Sequence, residues 1–123
     1  MGSVKPLVTI DQAIENYLET VSLSRSLNTA RTYQNGMQLF RATLQKRSVN
    51  PEKADIQGLT EDAVSWFATD LKKYSPSTER LYLTALTSFF QYLAAEKLAS
   101  PNLPRVQLLI RQRARRPGQR LPQ

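Results

Sequence analysis

The chain has no cysteine and no histidine. Lacking cysteine, it can form neither disulfides nor thiolate metal sites. Lacking histidine, it has neither the commonest general base nor the usual catalytic metal ligand, and its serines have no partner for a nucleophilic triad. Glycine is scarce: Gly2, Gly36, Gly58 and Gly118 stand apart and make no phosphate-cradling loop. No carboxylate pair sits in an apolar setting that would raise its pKa. No apolar run approaches the ~18 residues of a membrane-spanning helix. The start, MGSVKPLV, lacks the basic-then-apolar pattern of a signal peptide. The expectation is a soluble, cytoplasmic protein with no catalytic residues, no metal, no cofactor and no membrane partner.

What is present is 123 residues, enough for one domain or one domain with a tail, and for a core that needs no staples. The net charge of +7 is unevenly placed. Residues 1–100 hold eleven Lys and Arg against ten Asp and Glu, whereas residues 101–123 hold six Arg and no acid. The high isoelectric point therefore describes the tail more than the folded surface.

Helical periodicity dominates, and no strand signal or fixed repeat competes with it. Thr9 opens a first helix, TIDQAIENYLETVSLS, with Gln12 at capping-box spacing and an apolar stripe of Ile10, Ile14, Tyr17, Leu18 and Val21. Asp11, Glu15 and Glu19 recur on another face, which should lie in water and away from any polyanion. Ser26-Leu27-Asn28-Thr29 starts a second helix over about 28–46, with Ala30, Tyr33, Met37, Phe40 and Leu44 inward. Arg47 to Leu59 is a connection punctuated by Pro51 and Gly58, pinned to the core by Ile56 and Leu59. Thr60 is expected to cap a third helix whose stripe is Val64, Phe67, Ala68 and Leu71 and which closes on Lys72 and Lys73.

Ser75 or Ser77 caps the longest helix, with Pro76 in its first turn, running to about Lys97. Leu83, Leu86, Phe90 and Leu93 form its apolar side, with Tyr82 and Phe89 at the edge. Residues 105–110 have the pattern of a short fifth helical turn, and the Arg-rich remainder reads as an extended arm. The expected fold class is all-α, an orthogonal bundle of four to five helices. The expected organisation is a disordered N-terminus over 1–8, a helical domain over 9–104 and a basic linker over 105–123.

Two helix faces lack carboxylates altogether. The second helix presents Arg31, Gln34, Asn35, Gln38 and Gln45, with Lys46 at the edge, inside a stretch from Val21 to Pro51 that contains no Asp or Glu. The long helix presents Arg80, Thr84, Thr87, Ser88 and Gln91. Solvated helix faces usually mix Glu with Lys. A strip of Arg, Thr, Ser and Gln is suited to phosphates and base edges. The bland reading is an ordinary polar surface, and a solvated, disordered tail.

Read together, SLNTARTYQNGMQLFRATL and SPSTERLYLTALTSFFQYLAAEKLASPNL resemble the core-binding, SAM-like N-terminal domain of tyrosine recombinases of the phage-integrase and Xer type. Ser26, Asn28, Thr29, Tyr33, Phe40 and Leu44 fit the family pattern S-x-N-T-x-x-x-Y followed by F-x-x-x-L. Ser75, Thr78, Leu83, Ala85, Leu86, Ser88, Phe89, Phe90, Tyr92 and Leu93 fit S-x-x-T followed by L-S-A-L-R-S-F-F-x-Y-L. Arg120-Leu121-Pro122 resembles the joint that precedes the catalytic domain. The resemblance spans residues 8–123. Two departures stand out: Thr87 replaces a frequent arginine, and the usual Asn-Pro is inverted as Pro101-Asn102.

In that family the chemistry belongs to a C-terminal domain with a His-x-x-Arg motif and a tyrosine nucleophile. This sequence, without histidine, is expected to be a truncated piece or a stand-alone module that binds DNA without cutting it. The resemblance implies that helices 2 and 4 meet the major groove of double-stranded DNA as half of a clamp. Its partners would be the parent's C-terminal catalytic domain and other recombinase protomers on DNA. The residues expected to bind DNA are Asn28, Thr29, Arg31, Gln34, Asn35, Gln38 and Lys46; Ser77, Thr78, Arg80, Thr84, Thr87, Ser88 and Gln91; and the tail residues Arg111, Arg113, Arg115 and Arg116. The alternative is a helical protein–protein interaction module with a nonspecific basic tail.

Overall fold

The structure, a computed structural model, describes residues 8–113. Residues 1–7 of the segment expected to be disordered over 1–8, and Arg115, Arg116 and Arg120 to Pro122, lie outside the described residues. Five helices form the fold: α1 (Ile10–Ser24), α2 (Leu27–Lys46), α3 (Asp62–Asp70), α4 (Pro76–Ala95) and α5 (Leu103–Arg113). Two 3-10 turns, Ile56–Gly58 and Leu71–Lys73, complete the regular structure. Among the described residues there is no strand, only an isolated antiparallel bridge between Thr9 and Asp55. Val8 is half-buried and its carbonyl accepts the Ile56 N–H, so it belongs to the fold and not to a disordered leader.

The amphipathic stripes converge on one core. Tyr17, Met37, Phe40, Leu44, Phe67, Leu86, Phe89, Phe90 and Leu93 are all buried. Phe40 meets Phe67 edge-on at 5.5 Å, and Tyr17 meets Phe89 at 5.4 Å. α2 and α4 make the most extensive helix pair. They pack closely at Gly36, where an added Cβ would lie 3.0 Å from Tyr82 Cδ1.

Four local features differ from expectation, each for a visible reason. α4 stops at Ala95 rather than near Lys97. Lys97 turns left-handed at φ 57°, and the Leu98 and Lys97 amides donate back to the Leu93 and Ala94 carbonyls. This is a Schellman closure, and α2 ends the same way at Ser48, φ 62°. Thr60 does not cap α3. Glu61 holds that position in right-handed backbone with no side-chain cap, because its carboxylate reaches the Asn102 amide and Arg105 instead. Residues 105–113 are not a linker: Val106 and Leu109 are buried and α5 packs on α3 and α4. Finally, α1's acidic face is only partly left to water. Arg41 of α2 lies across it, with Nη2 at 3.0 Å from Glu15. Its Nε is 2.6 Å from Asp11, in an ion contact without hydrogen-bond alignment.

Candidate nucleic-acid interface

α2 and α4 begin with the same device. Ser26 Oγ accepts the Thr29 amide at 3.2 Å and donates to Thr29 Oγ1 at 3.0 Å. Ser75 repeats this with Thr78, at 3.3 and 3.0 Å. Each serine thus satisfies one of the orphan amides of its first turn. The Thr29 and Thr78 amides and hydroxyls are consequently engaged within the first turns. In α2 the first-turn amides still free among the described residues are those of Leu27 and Asn28. In α4 Pro76 has none, which leaves Ser77.

Six of the ten carboxylates are held in ion pairs among the described residues. Asp11 and Glu15 hold Arg41, Glu61 and Asp62 hold Arg105, and Asp70 takes Lys46 and Arg47 at 3.1 and 3.6 Å. Glu79, in the first turn of α4, is wholly buried and meets Lys72 Nζ at 2.7 Å. Lys72 also donates to the Arg113 carbonyl, tying the end of α5 to the start of α4. By contrast, Arg31 and Arg80 are exposed and form no ion pair with any described residue. Free, weakly hydrated guanidinium groups of this kind suit phosphate and guanine edges.

The residues of the two polar strips do not all look the same way. On α2, Asn28, Arg31 and Asn35 are exposed and clear of the ion pairs. Gln34 lines the same groove as Glu15 and Glu19 of α1. Gln38 accepts a hydrogen bond from Arg41, within the α1 acidic cluster. Lys46 is exposed, but its charge is shared with Asp70.

On α4, Ser77, Arg80, Thr84 and Gln91 are exposed. Thr84 and Thr87 direct their protons back to the Arg80 and Leu83 carbonyls at 2.8 and 2.9 Å, leaving only acceptor capacity. Ser88 is half-buried and lies against the Tyr17 side chain of α1. Burial pushes the Tyr17 phenol up to about 12, against the smaller opposing effect of Ser88, and its hydroxyl donates to the Ala85 carbonyl. Arg111 and Arg113 are exposed on the last turn of α5.

One residue absent from the sequence reading belongs to the α4 row. Leu81 is 51% exposed, four residues after Ser77 and three before Thr84. Its signal in the sequence was positional: it falls off the Leu83, Leu86, Phe90 and Leu93 stripe, on the polar side.

Five helices around one core, with no strand among the described residues, define a small all-α domain of the SAM-like kind. Its affiliation is direct: residues 14–97 match the phage integrase N-terminal SAM-like domain, and the chain belongs to that family. The match does not single out the Xer type. Among solved structures, the chain is similar to the N-terminal domain of a phage integrase/site-specific recombinase from Haloarcula marismortui. The TM-score is 0.66 at 16% identity, over 78% of this chain and 90% of that one. At that identity the likeness speaks for the fold. No match was found among proteins of curated function. Among the described residues, no helix is long and apolar enough to cross a membrane.

Proposed function

We propose that this domain is the core-binding part of a tyrosine-type site-specific recombinase and that it grips double-stranded DNA through α2 and α4. The observation that carries the reading is the sorting of charge. Asp11, Glu15, Glu61, Asp62, Asp70 and Glu79 are paired with Arg41, Arg105, Lys46, Arg47 and Lys72, while Arg31 and Arg80 stand without an ion pair among the described residues, on acid-free rows of the two helices that pack together. Phosphates would be met by Arg31, Arg80, Ser77 and the open amides of Leu27 and Asn28. Asn35, Gln91 and the guanidinium groups can reach base edges. Gln34, Gln38, Lys46 and Ser88 are placed for support rather than contact. The exposed Arg111 and Arg113, and Arg115 and Arg116 beyond the described residues, add a salt-dependent attraction without sequence preference.

No residue here performs strand cleavage in this reading. That chemistry, and closure of the clamp around the duplex, fall to the parent's C-terminal domain, and assembly on DNA to other protomers. The competing reading is a protein-interaction module. A salt titration of the full chain on a fluorescein-labelled mixed-sequence duplex separates the two. DNA gripping predicts affinity that falls steeply with salt and exceeds that for an uncharged competitor surface. No measurable duplex binding at ~50 mM salt would end the proposal.

A further inference from the structure

We propose that Leu81 is a specificity-determining residue that recognises the 5-methyl group of thymine, a role that rests on α4 lying in the major groove. Among the described residues four large apolar side chains are exposed: Leu23, Leu27, Leu81 and Leu108. Leu23 and Leu27 flank the α1–α2 joint, and Leu108 is on α5. Leu81 differs in its company. It is set in the α4 row between Ser77 and Thr84, directly after the free Arg80, and the row holds no carboxylate.

The core does not need it there. Leu83, Leu86, Phe90 and Leu93 already bury the inner side of α4, and Ala85 and Phe89 face Tyr17 of α1. A leucine half in water next to a cation and hydroxyl groups leaves about half of its apolar surface unburied by folding. It gains on contact with an apolar spot embedded in a polyanion, and in the major groove that spot is the thymine methyl, the one apolar group displayed there. Arg80 would hold the adjacent phosphate or guanine edge while Leu81 covers the methyl, so neighbouring side chains divide affinity and selectivity between them.

The test uses two duplexes of identical mixed sequence, one with thymine and one with deoxyuridine throughout, which differ only by methyl groups. The 123-residue wild-type chain and its Leu81→Ala variant are titrated against both by anisotropy at low salt. Leu81 is exposed and alanine favours helix, so the variant keeps its fold. The expected result is a wild-type affinity about fourfold weaker for the uracil duplex per methyl contacted, and a Leu81→Ala protein that binds both duplexes alike. Equal wild-type binding to both, or an equal preference retained in the variant, overturns the role of Leu81 while leaving DNA binding intact. Failure of the wild type to bind either duplex overturns the underlying reading as well.

Discussion

Arg80→Ala and Arg105→Ala remove the same charge from the molecule but from different settings. Arg80 is exposed and unpaired among the described residues, whereas Arg105 is held by Asp62 at 2.8 Å and Glu61 at 3.4 Å. If net charge alone attracted DNA, the two variants would behave alike. If α4 docks on the duplex, they must differ. Each neutralised phosphate contributes about 0.9 to the slope of log affinity against log salt. Loss of the Arg80 contact should therefore flatten the slope by about 0.9. Between ~50 and ~200 mM salt the wild type would then lose about 3.5-fold more affinity than the variant. Arg31→Ala should act alike, and the double variant should flatten the slope by about 1.8. Arg105→Ala should leave the slope unchanged and instead lower thermal stability, by freeing α5 from α3. Anisotropy titrations of the 123-residue chain at four or more salt concentrations give the slopes. An unchanged slope for Arg80→Ala, or an equal change for Arg105→Ala, would refute the assignment of α4 to the interface.

The remaining predictions concern the scaffold beneath the interface. Glu79→Ala should lower stability in urea by about 2 kcal/mol, less than the ~3–5 for breaking a fully buried pair, because Lys72 is part-exposed and can turn to water. Lys97→Gly should raise stability by up to ~1 kcal/mol in the same assay, since glycine adopts the left-handed turn after α4 without the Cβ penalty. Burial alone would raise the Asp70 carboxyl, but the Thr43 hydroxyl with Lys46 and Arg47 outweighs it and holds the group below its ordinary value. The unfolded chain thus takes up that proton first. Stability from Asp70 is complete above ~pH 4 and is lost as pH falls through the lower folded value. Asp70→Asn should flatten the acid limb of a stability–pH curve. Tyr17 loses its proton later folded than unfolded, so stability should fall between ~pH 10 and about 12, and Tyr17→Phe should remove that decline.

The helices were legible because their signals are local. Thr9 with Gln12, Ser26 and Ser75 each cap as their spacing suggests, and Tyr33, Met37, Phe40 and Leu44 are inward as their period requires. What the sequence hid depends on partners distant along the chain. Arg105 reads as part of a basic tail, yet across more than forty residues it meets Glu61 and Asp62 and draws Glu61 away from the α3 start. Ser88 looks like part of a polar strip, but α1 brings Tyr17 against it. Lys46 looks free until α3 delivers Asp70. At the candidate interface, periodicity identified the acid-free faces, but it could not say which cations were already paired. Nor did hydrophobic patterning mark Leu81, since a lone apolar residue off the stripe carries no period.

Whether the folded helix faces or the arginine tail hold DNA is most directly decided by neutralising the tail. The protein carrying Arg111, Arg113, Arg115, Arg116 and Arg120 as glutamine would be titrated against a mixed-sequence duplex at low salt, beside its Arg31→Ala/Arg80→Ala counterpart. Weakened but measurable binding by the tail variant, abolished when Arg31 and Arg80 are also replaced, is the expected result. Loss of all binding on neutralising the tail, with the Arg31→Ala/Arg80→Ala protein that keeps its tail binding like wild type, would contradict a DNA interface on α2 and α4.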